Sequence, residues 1–258
     1  MNELHIEIYG QGQTIVMVHG WGMHTGVWRT FAQQLAESHR VICVDLPGHG
    51  RSPAIEPFTL PVLAAQLAQN IESEPCCWLG WSLGGLIVLE IARRYPGKVN
   101  SLILLAASPC FVKQEGWAGM DLKVLETFAD NLMANPAMTL MRFLALQLYG
   151  LEHAGELLKD LKSHVLECPA PSSAILSAGL CILLEQDLRE QLANLNYPML
   201  ALMGRRDSLV PIAVATPLAA LSNTIELNVI QQAGHTPFLS HPDETLSAIR
   251  NFVTRQVE

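Results

Sequence analysis

Short apolar runs alternate with longer segments of helical periodicity along most of the chain. The apolar runs predict seven strands, at 4–8, 14–18, 41–45, 76–79, 101–106, 198–203 and 225–230. Segments with helical spacing lie between them, at 27–37, 60–72, 84–95, 212–221 and 242–256. Continuous apolar strands bounded by Gly or Pro are typical of a parallel sheet covered on both faces. Their alternation with helices predicts a doubly wound α/β fold.

One long stretch breaks this alternation. Residues 111–187 contain no convincing strand and predict helices near 119–133, 136–149, 152–166 and 172–184. The stretch is far longer than a crossover between two strands requires. We therefore expect an all-helical cap, or lid, over the carboxyl edge of the sheet, where such folds bind ligands. The predicted core is then 1–110 and 188–258, with 111–187 as the cap; the alternative is an ordinary set of packing helices.

The strongest chemical signal is the hexapeptide Gly80–Gly85, GWSLGG. It follows an apolar run and precedes a helical one, which is the strand–turn–helix context of a G-x-S-x-G nucleophile elbow. Such a turn points the hydroxyl of Ser82 out of the sheet, and its small flanking residues let strand and helix approach each other. We therefore expect Ser82 to be a nucleophile.

A serine hydroxyl needs a base, and that base needs a carboxylate to fix its tautomer. His235 follows the last predicted strand, and Asp207 follows the one before it. The order Ser82, Asp207, His235 is typical of an α/β-hydrolase. His241, just before the terminal helix, is the rival base, whereas Asp45 opens a turn before the elbow and suits a structural role.

The remaining histidines give no comparable signal. His49 lies in a turn and is interpreted as structural, and we expect the others on the surface: His5, His24, His39, His153 and His164. After the strand that follows the elbow, where some hydrolases place the acid, residues 107–110 carry no carboxylate. The absence of a carboxylate there favours Asp207 as the acid of the triad.

An oxyanion hole needs two backbone donors. The N–H of Leu83, directly after the nucleophile, is one candidate. The N–H of Trp21, in the loop 19–22 (HGWG) after the second predicted strand, is the other. A simple strand-ending turn is the alternative for this loop.

Composition narrows the function further. The 258 residues carry 16 Lys+Arg and 24 Asp+Glu, a formal net charge of −8, and half of them are apolar. This argues against disorder and against nucleic acid as the main partner. The six cysteines show no CxxC pair or zinc spacing, so we expect reduced thiols. No metal, flavin or nucleotide motif is present, and the mechanism needs no cofactor.

The sequence also carries a few indications of location and assembly. The first ten residues lack the basic and apolar regions of a signal peptide, and no apolar run is long enough to span a bilayer. We therefore expect a cytoplasmic protein without a membrane partner. No coiled-coil pattern or long apolar edge is evident, so we expect a monomer.

Together these motifs resemble the α/β-hydrolase superfamily over nearly the whole chain, and more closely the BioH family. The closer likeness rests on several strings, at 19–22, 45–48, 78–85, 107–111, 142–147, 187–189, 209–211 and 235–242. The strings 78–85 (WLGWSLGG) and 142–147 (RFLALQ) are the specific ones. The BioH family hydrolyses the methyl ester of a pimeloyl group held on acyl carrier protein, in biotin synthesis.

The resemblance implies roles for three further residues. Trp81 and Phe143 would line an acyl channel, although either is also compatible with plain core. The family binds the acidic carrier protein through cap arginines, which implies such a role for Arg142. The cap segment 138–162 is formally neutral, however, and has these charged residues: Arg142, Lys159, Lys162, Glu152, Glu156 and Asp160. Carrier docking is therefore expected to be weaker or placed differently here.

Two other functions remain open from the sequence. A broad carboxylesterase acting on short esters would need the same triad, as would hydrolases that cleave C–C bonds. A non-catalytic interaction module on the same fold would be expected to lack a triad member, and all three are present. Dehalogenases and epoxide hydrolases would need an aspartate in place of Ser82.

Overall fold

The structure, a computed structural model, describes residues 3–256 and contains one seven-stranded sheet. The strands are β1 Ile6–Tyr9, β2 Thr14–Val18, β3 Arg40–Val44, β4 Cys76–Trp81, β5 Val99–Leu105, β6 Met199–Gly204 and β7 Ile225–Ile230. Their order is β1-β3-β2-β4-β5-β6-β7, and only β1 runs antiparallel to its neighbour. All seven predicted strands are present, and the mostly parallel α/β fold is confirmed.

Eleven α-helices occur in the described part of the chain. They are α1 Arg29–Leu35, α2 Leu60–Asn70, α3 Leu83–Arg94, α4 Leu122–Ala134, α5 Pro136–Leu146, α6 Ala154–Val165, α7 Ser173–Glu185, α8 Arg189–Ala193, α9 Ala215–Ala219, α10 Pro237–Ser240 and α11 Pro242–Thr254. The short α8 and α10 were not predicted, since four or five residues carry too little periodicity to recognise.

The sheet separates two apolar layers, and alternation along β4 assigns side chains to each. Cys76 and Trp78 join the layer that contains α2 and α3. Cys77 and Leu79 join the opposite layer, which contains α1 and α11. Successive strand residues point to opposite faces, so the continuous apolar run is explained by burial on both sides.

Helices α4 to α7 follow one another between β5 and β6, in the stretch predicted to be helical. The two ends of this insert meet, because Cys110 and Asp187 form an antiparallel bridge. Further contacts join the insert to the core. Arg29 forms a two-pronged ion pair with Glu167, and Nε2–H of His24 donates to the carbonyl of Val165 over 3.3 Å.

All six cysteines are unpaired, and all but Cys181 are buried. Burial raises the pKa of the Cys77 thiol to about 12, so this thiol stays protonated at neutral pH. Within residues 3–256, every helix falls short of the length and apolar character that a membrane crossing requires.

Candidate active site

Ser82 lies in a tight turn between β4 and α3, with a backbone φ of 55°. This left-handed conformation is costly for a residue with a Cβ and typically occurs at functional sites. The glycines around Ser82 are required because no room exists there for a side chain. A Cβ on Gly80 would lie 2.3 Å from the carbonyl oxygen of Gly84, and one on Gly84 would lie 2.3 Å from that of Val18. Strand and helix therefore approach more closely than larger residues would allow.

The structure brings Ser82, His235 and Asp207 together. Nε2 of His235 lies 2.8 Å from Oγ of Ser82, and Nδ1 lies 2.8 Å from Oδ2 of Asp207. The other carboxylate oxygen accepts the N–H groups of Leu209 and Val210, over 2.8 and 2.9 Å. A carboxylate can only accept, so Nδ1 carries the proton and Nε2 is free to accept from the serine. All three side chains are buried.

The main chain of His235 is held from two sides. Its N–H donates to the carbonyl of Gln147 over 3.3 Å, and its carbonyl accepts the indole N–H of Trp81 over 2.8 Å. Gln147 belongs to the turn after α5, so the insert contributes directly to the position of the histidine. Its side-chain amide is buried and makes no hydrogen bond to the described residues. Sequence reasoning gave Gln147 no role.

The loop after β2 lies directly against the elbow. A Cβ on Gly20 would lie 3.1 Å from the Cβ of Ser82. The N–H groups of Trp21 and Leu83 donate to no acceptor within residues 3–256. Two unpaired N–H groups beside a nucleophile are what a developing oxyanion requires.

His19 fixes the shape of this loop. Its Nδ1–H donates to the carbonyl of Gly20 over 2.8 Å, and its Nε2 accepts the N–H of Leu46 over 3.0 Å. Full burial lowers its pKa to about 3, so the ring is neutral, as both hydrogen bonds require. His19 is thus a structural link between the loop and the segment that follows β3.

An apolar cavity begins at Ser82 and runs between the insert and the core. Trp21 and Phe143 line it, as does Phe128 on α4. The three rings pack edge-on or tilted against one another, with centroids 5.0 to 5.8 Å apart. Phe128 was missed, although Leu125, Phe128 and Leu132 have the spacing of one helix face.

Trp81 lies elsewhere, contrary to the expectation that it lines the channel. It is buried in the layer containing α1 and α11, with its ring against Trp28 and Phe238 at 5.7 and 4.9 Å. The reason is strand alternation, because Trp81 shares its face of β4 with Cys77 and Leu79.

The remaining candidates fall outside the triad. Arg142 is exposed on α5 and forms no ion pair within the described chain. His241 precedes α11, and its Nδ1 lies 2.9 Å from Oγ of Ser240. Asp45 accepts the N–H groups of Thr25 and Arg51 over 2.6 and 2.8 Å, which confirms its structural role.

Two histidines expected on the surface are buried instead. His24 accepts the N–H of Gly26 over 3.1 Å and thereby caps a short 3₁₀ turn under the insert. His39 is buried beside the start of β3. Across residues 3–256, no cluster of His, Cys, Asp and Glu side chains has the arrangement of a metal site.

Comparison with known proteins agrees with this geometry. Residues 13–242 match the family model for the alpha/beta hydrolase fold, and the chain belongs to that class. An esterase from Exiguobacterium antarcticum shares the fold, with a TM-score of 0.88 and 24% identity over 97% of this chain and 95% of that one.

Closer relatives narrow the class. The pimeloyl-[acyl-carrier protein] methyl ester esterase of Methylococcus capsulatus is 41% identical over 250 residues, which is 97% of this chain and 98% of the relative. The protein of the same name from Aeromonas salmonicida is 43% identical over 250 residues, 96% of this chain and 98% of the relative. The chain belongs to the family of pimeloyl-[acyl-carrier protein] methyl ester esterases.

Proposed function

We propose that this protein is a serine carboxylesterase that hydrolyses the methyl ester of pimeloyl-[acyl-carrier protein], releasing methanol, in biotin biosynthesis. The observation that carries the chemistry is the continuous hydrogen-bonded line from Asp207 through His235 to Ser82. The relatives named above supply the substrate class. An apolar cavity beginning at the serine suits an aliphatic acyl chain.

The mechanism follows from the positions of the donors and acceptors. Oγ of Ser82 attacks the ester carbonyl while Nε2 of His235 takes its proton, and Asp207 stabilises the imidazolium. The N–H groups of Trp21 and Leu83 receive the negative charge on the carbonyl oxygen. As the tetrahedral intermediate collapses, His235 returns the proton to the departing methoxide, which leaves as methanol.

The second half repeats these steps with water. His235 removes a proton from water, and the resulting hydroxide attacks the acyl–serine ester. Collapse of that intermediate returns the proton to Ser82 and releases the free carboxylic acid. The chain's side chains, the backbone N–H groups of Trp21 and Leu83, and water carry the steps.

The insert supplies the walls of the acyl site. We propose that 111–187 acts as a cap on the core formed by 1–110 and 188–258, an organisation supported by the bridge between Cys110 and Asp187. Phe143 from the cap and Trp21 from the core line the cavity beside the serine. The carrier protein remains outside, and the acyl chain reaches in between them.

The test compares two substrates on one enzyme preparation. Hydrolysis of pimeloyl-carrier methyl ester and of a short p-nitrophenyl ester are measured with the wild type and with Ser82→Ala. We expect a large kcat/KM preference for the carrier-bound ester, and loss of both activities in the variant. Good turnover of the small ester with none of the carrier-bound ester would leave the triad in place and identify a general carboxylesterase.

A further inference from the structure

The cavity opens to solvent between two helices of the cap. Its exposed lining residues are Val124, Thr127 and Asn131 on α4, and Leu146 at the end of α5. We call these two edges of the opening the α4 rim and the α5 rim. A substrate that is attached to a larger carrier must pass between them, with the carrier outside. The charges on each rim therefore face that carrier.

The rim formed by α5 continues into the loop that bears Asp207. The hydroxyl of Ser208 lies 3.3 Å from the carbonyl of Leu146, and Nη1 of Arg206 lies 3.5 Å from the carbonyl of Gly150. Arg142 precedes Leu146 by four residues and so lies on the same face of α5. Arg142 thus shares a helix face with the rim residue Leu146, and Arg206 lies beside the chain that continues from this rim.

Both arginines are exposed, and neither forms an ion pair with any of residues 3–256. Arg142 is the only charged residue of α5. Glu152 lies just beyond Gly150 and adds one negative charge, so the two arginines of this rim outnumber it. The α5 rim is therefore locally positive on a protein whose formal net charge is −8.

The α4 rim, on the opposite side of the opening, carries a net negative charge. Helix α4 carries Glu126 and Asp130 against a single cation, Lys123, and its N-cap is Asp121. An anionic macromolecule approaching the mouth is attracted on the α5 side and repelled on the α4 side.

We propose that Arg206, on the core loop, is a docking residue for the acidic carrier protein, beside the cap residue Arg142 that the family resemblance already implies; this places the carrier over α5 and the Asp207 loop rather than over α4. This inference rests on the proposed function, which supplies the partner. It also accounts for the formally neutral cap segment, because part of the docking charge comes from the core loop and not from the cap.

The backbone at Arg206 is well suited to this role. Its N–H donates to the carbonyl of Ala233 over 2.9 Å, and the next residue, Asp207, is fixed by His235. A guanidinium on a rigid loop loses less freedom when it pairs with a carboxylate than one on a mobile segment. Charge-assisted contacts of this kind mainly set the association rate and the specificity of a complex.

The experiment uses charge reversal at Arg206 with two matched controls. Arg206→Glu, Lys123→Glu and Arg40→Glu change the net charge equally, but Lys123 lies on the opposite rim and Arg40 begins β3, at the amino end of the sheet. For each variant, kcat/KM is measured on the pimeloyl-carrier methyl ester and on a small free methyl ester. The readout is the ratio of the two, so that a disturbance of the triad cancels.

We expect Arg206→Glu to lower this ratio by about tenfold or more through KM, and to weaken the salt dependence of the carrier reaction. Both controls should leave the ratio within about twofold of the wild type. An unchanged ratio in Arg206→Glu, or an equal fall in Lys123→Glu, would overturn the docking proposal while the proposed function stands. If the wild type does not hydrolyse the carrier-bound ester, the proposed function fails and the docking proposal fails with it.

Discussion

The indole N–H of Trp81 donates to the main-chain carbonyl of His235 over 2.8 Å, from the residue directly before Ser82. The same histidine bonds Ser82 through its side chain, also over 2.8 Å. Nucleophile and base are thus linked twice, once through side chains and once through the strand that carries the nucleophile. Trp81 therefore serves as a positioning residue for the base.

This link is tested by Trp81→Phe, which keeps most of the buried ring and removes the donor. We expect kcat to fall by about tenfold with little change in KM, because the base loses its fixed position but the substrate site is untouched. The pH profile of kcat/KM should also change, since the surroundings of the imidazole are altered.

Trp28→Phe is the matched control for that variant. Trp28 is buried 5.7 Å from Trp81, but its indole nitrogen makes no hydrogen bond within the described chain. We expect it to lower thermal stability to a similar degree and to leave the pH profile unchanged. Equal effects of both variants on kcat would reduce Trp81 to a packing residue.

A second prediction separates the two histidines near the C-terminus. His235→Ala should lower kcat by several powers of ten, as removal of a triad member typically does. His241→Ala should be mild, because this side chain contacts Ser240 and not the triad. Initial rates on a p-nitrophenyl ester decide between them, and the reverse pattern would show that His241 is the base.

A third prediction concerns the carboxylate. Oδ1 of Asp207 accepts two N–H groups, so the amide oxygen of Asp207→Asn has to occupy that position. Its NH₂ group then faces Nδ1 of His235, which has to accept, and the proton moves to Nε2. That tautomer cannot take the serine proton, so we expect a loss of about 10⁴ in kcat with the fold retained. A loss of less than about tenfold would be incompatible with the assigned tautomer.

A fourth prediction concerns stability in acid. Burial lowers the pKa of His49 to about 3, and Nε2 of this ring has no hydrogen-bond partner within residues 3–256. Between that value and the unfolded value near 6.5 the unfolded chain binds the extra proton, so stability is lost as pH falls through this window.

His49→Phe removes this proton uptake while keeping a ring beside Phe58, 5.9 Å away. We expect the slope of unfolding free energy against pH to fall by about 1.4 kcal/mol per pH unit within the window. Urea unfolding at about pH 4.5 and about pH 5.5, both inside the window, measures the slope. Identical slopes in the two proteins would mean that His49 is protonated in the fold.

The sheet and the elbow are predictable from sequence because their signals are local. Apolar runs, Gly-bounded turns and the G-x-S-x-G string lie within a few residues of one another, and the structure contains each of them where expected. The distant partners Asp207 and His235 are also accessible, since parallel strands end at one edge of the sheet. In the structure His235 lies within hydrogen-bond distance of both Asp207 and Ser82.

The contacts between cap and core are not predictable in this way. Which face of α4 or α5 meets the core depends on tertiary packing. Helix periodicity groups Phe128 with Leu125 and Leu132 without saying what that face covers, and Gln147 carries no local mark of its position. Trp81 is a different case, because strand alternation already assigns it to the face of Leu79. The family resemblance implied that Trp81 lines the channel, whereas the alternation of side chains along β4 predicts the face on which the structure places it.

The most direct test of the central claim is a single-turnover reaction with the carrier-bound ester, followed by intact-mass spectrometry of the carrier. With wild-type enzyme we expect the carrier mass to fall by one methylene unit, as methyl ester becomes acid, with release of one equivalent of methanol. Ser82→Ala should leave the carrier mass unchanged. A carrier that keeps its methyl ester with active wild-type enzyme would contradict the carrier-bound substrate, and one that loses it equally with Ser82→Ala would contradict ester hydrolysis at Ser82.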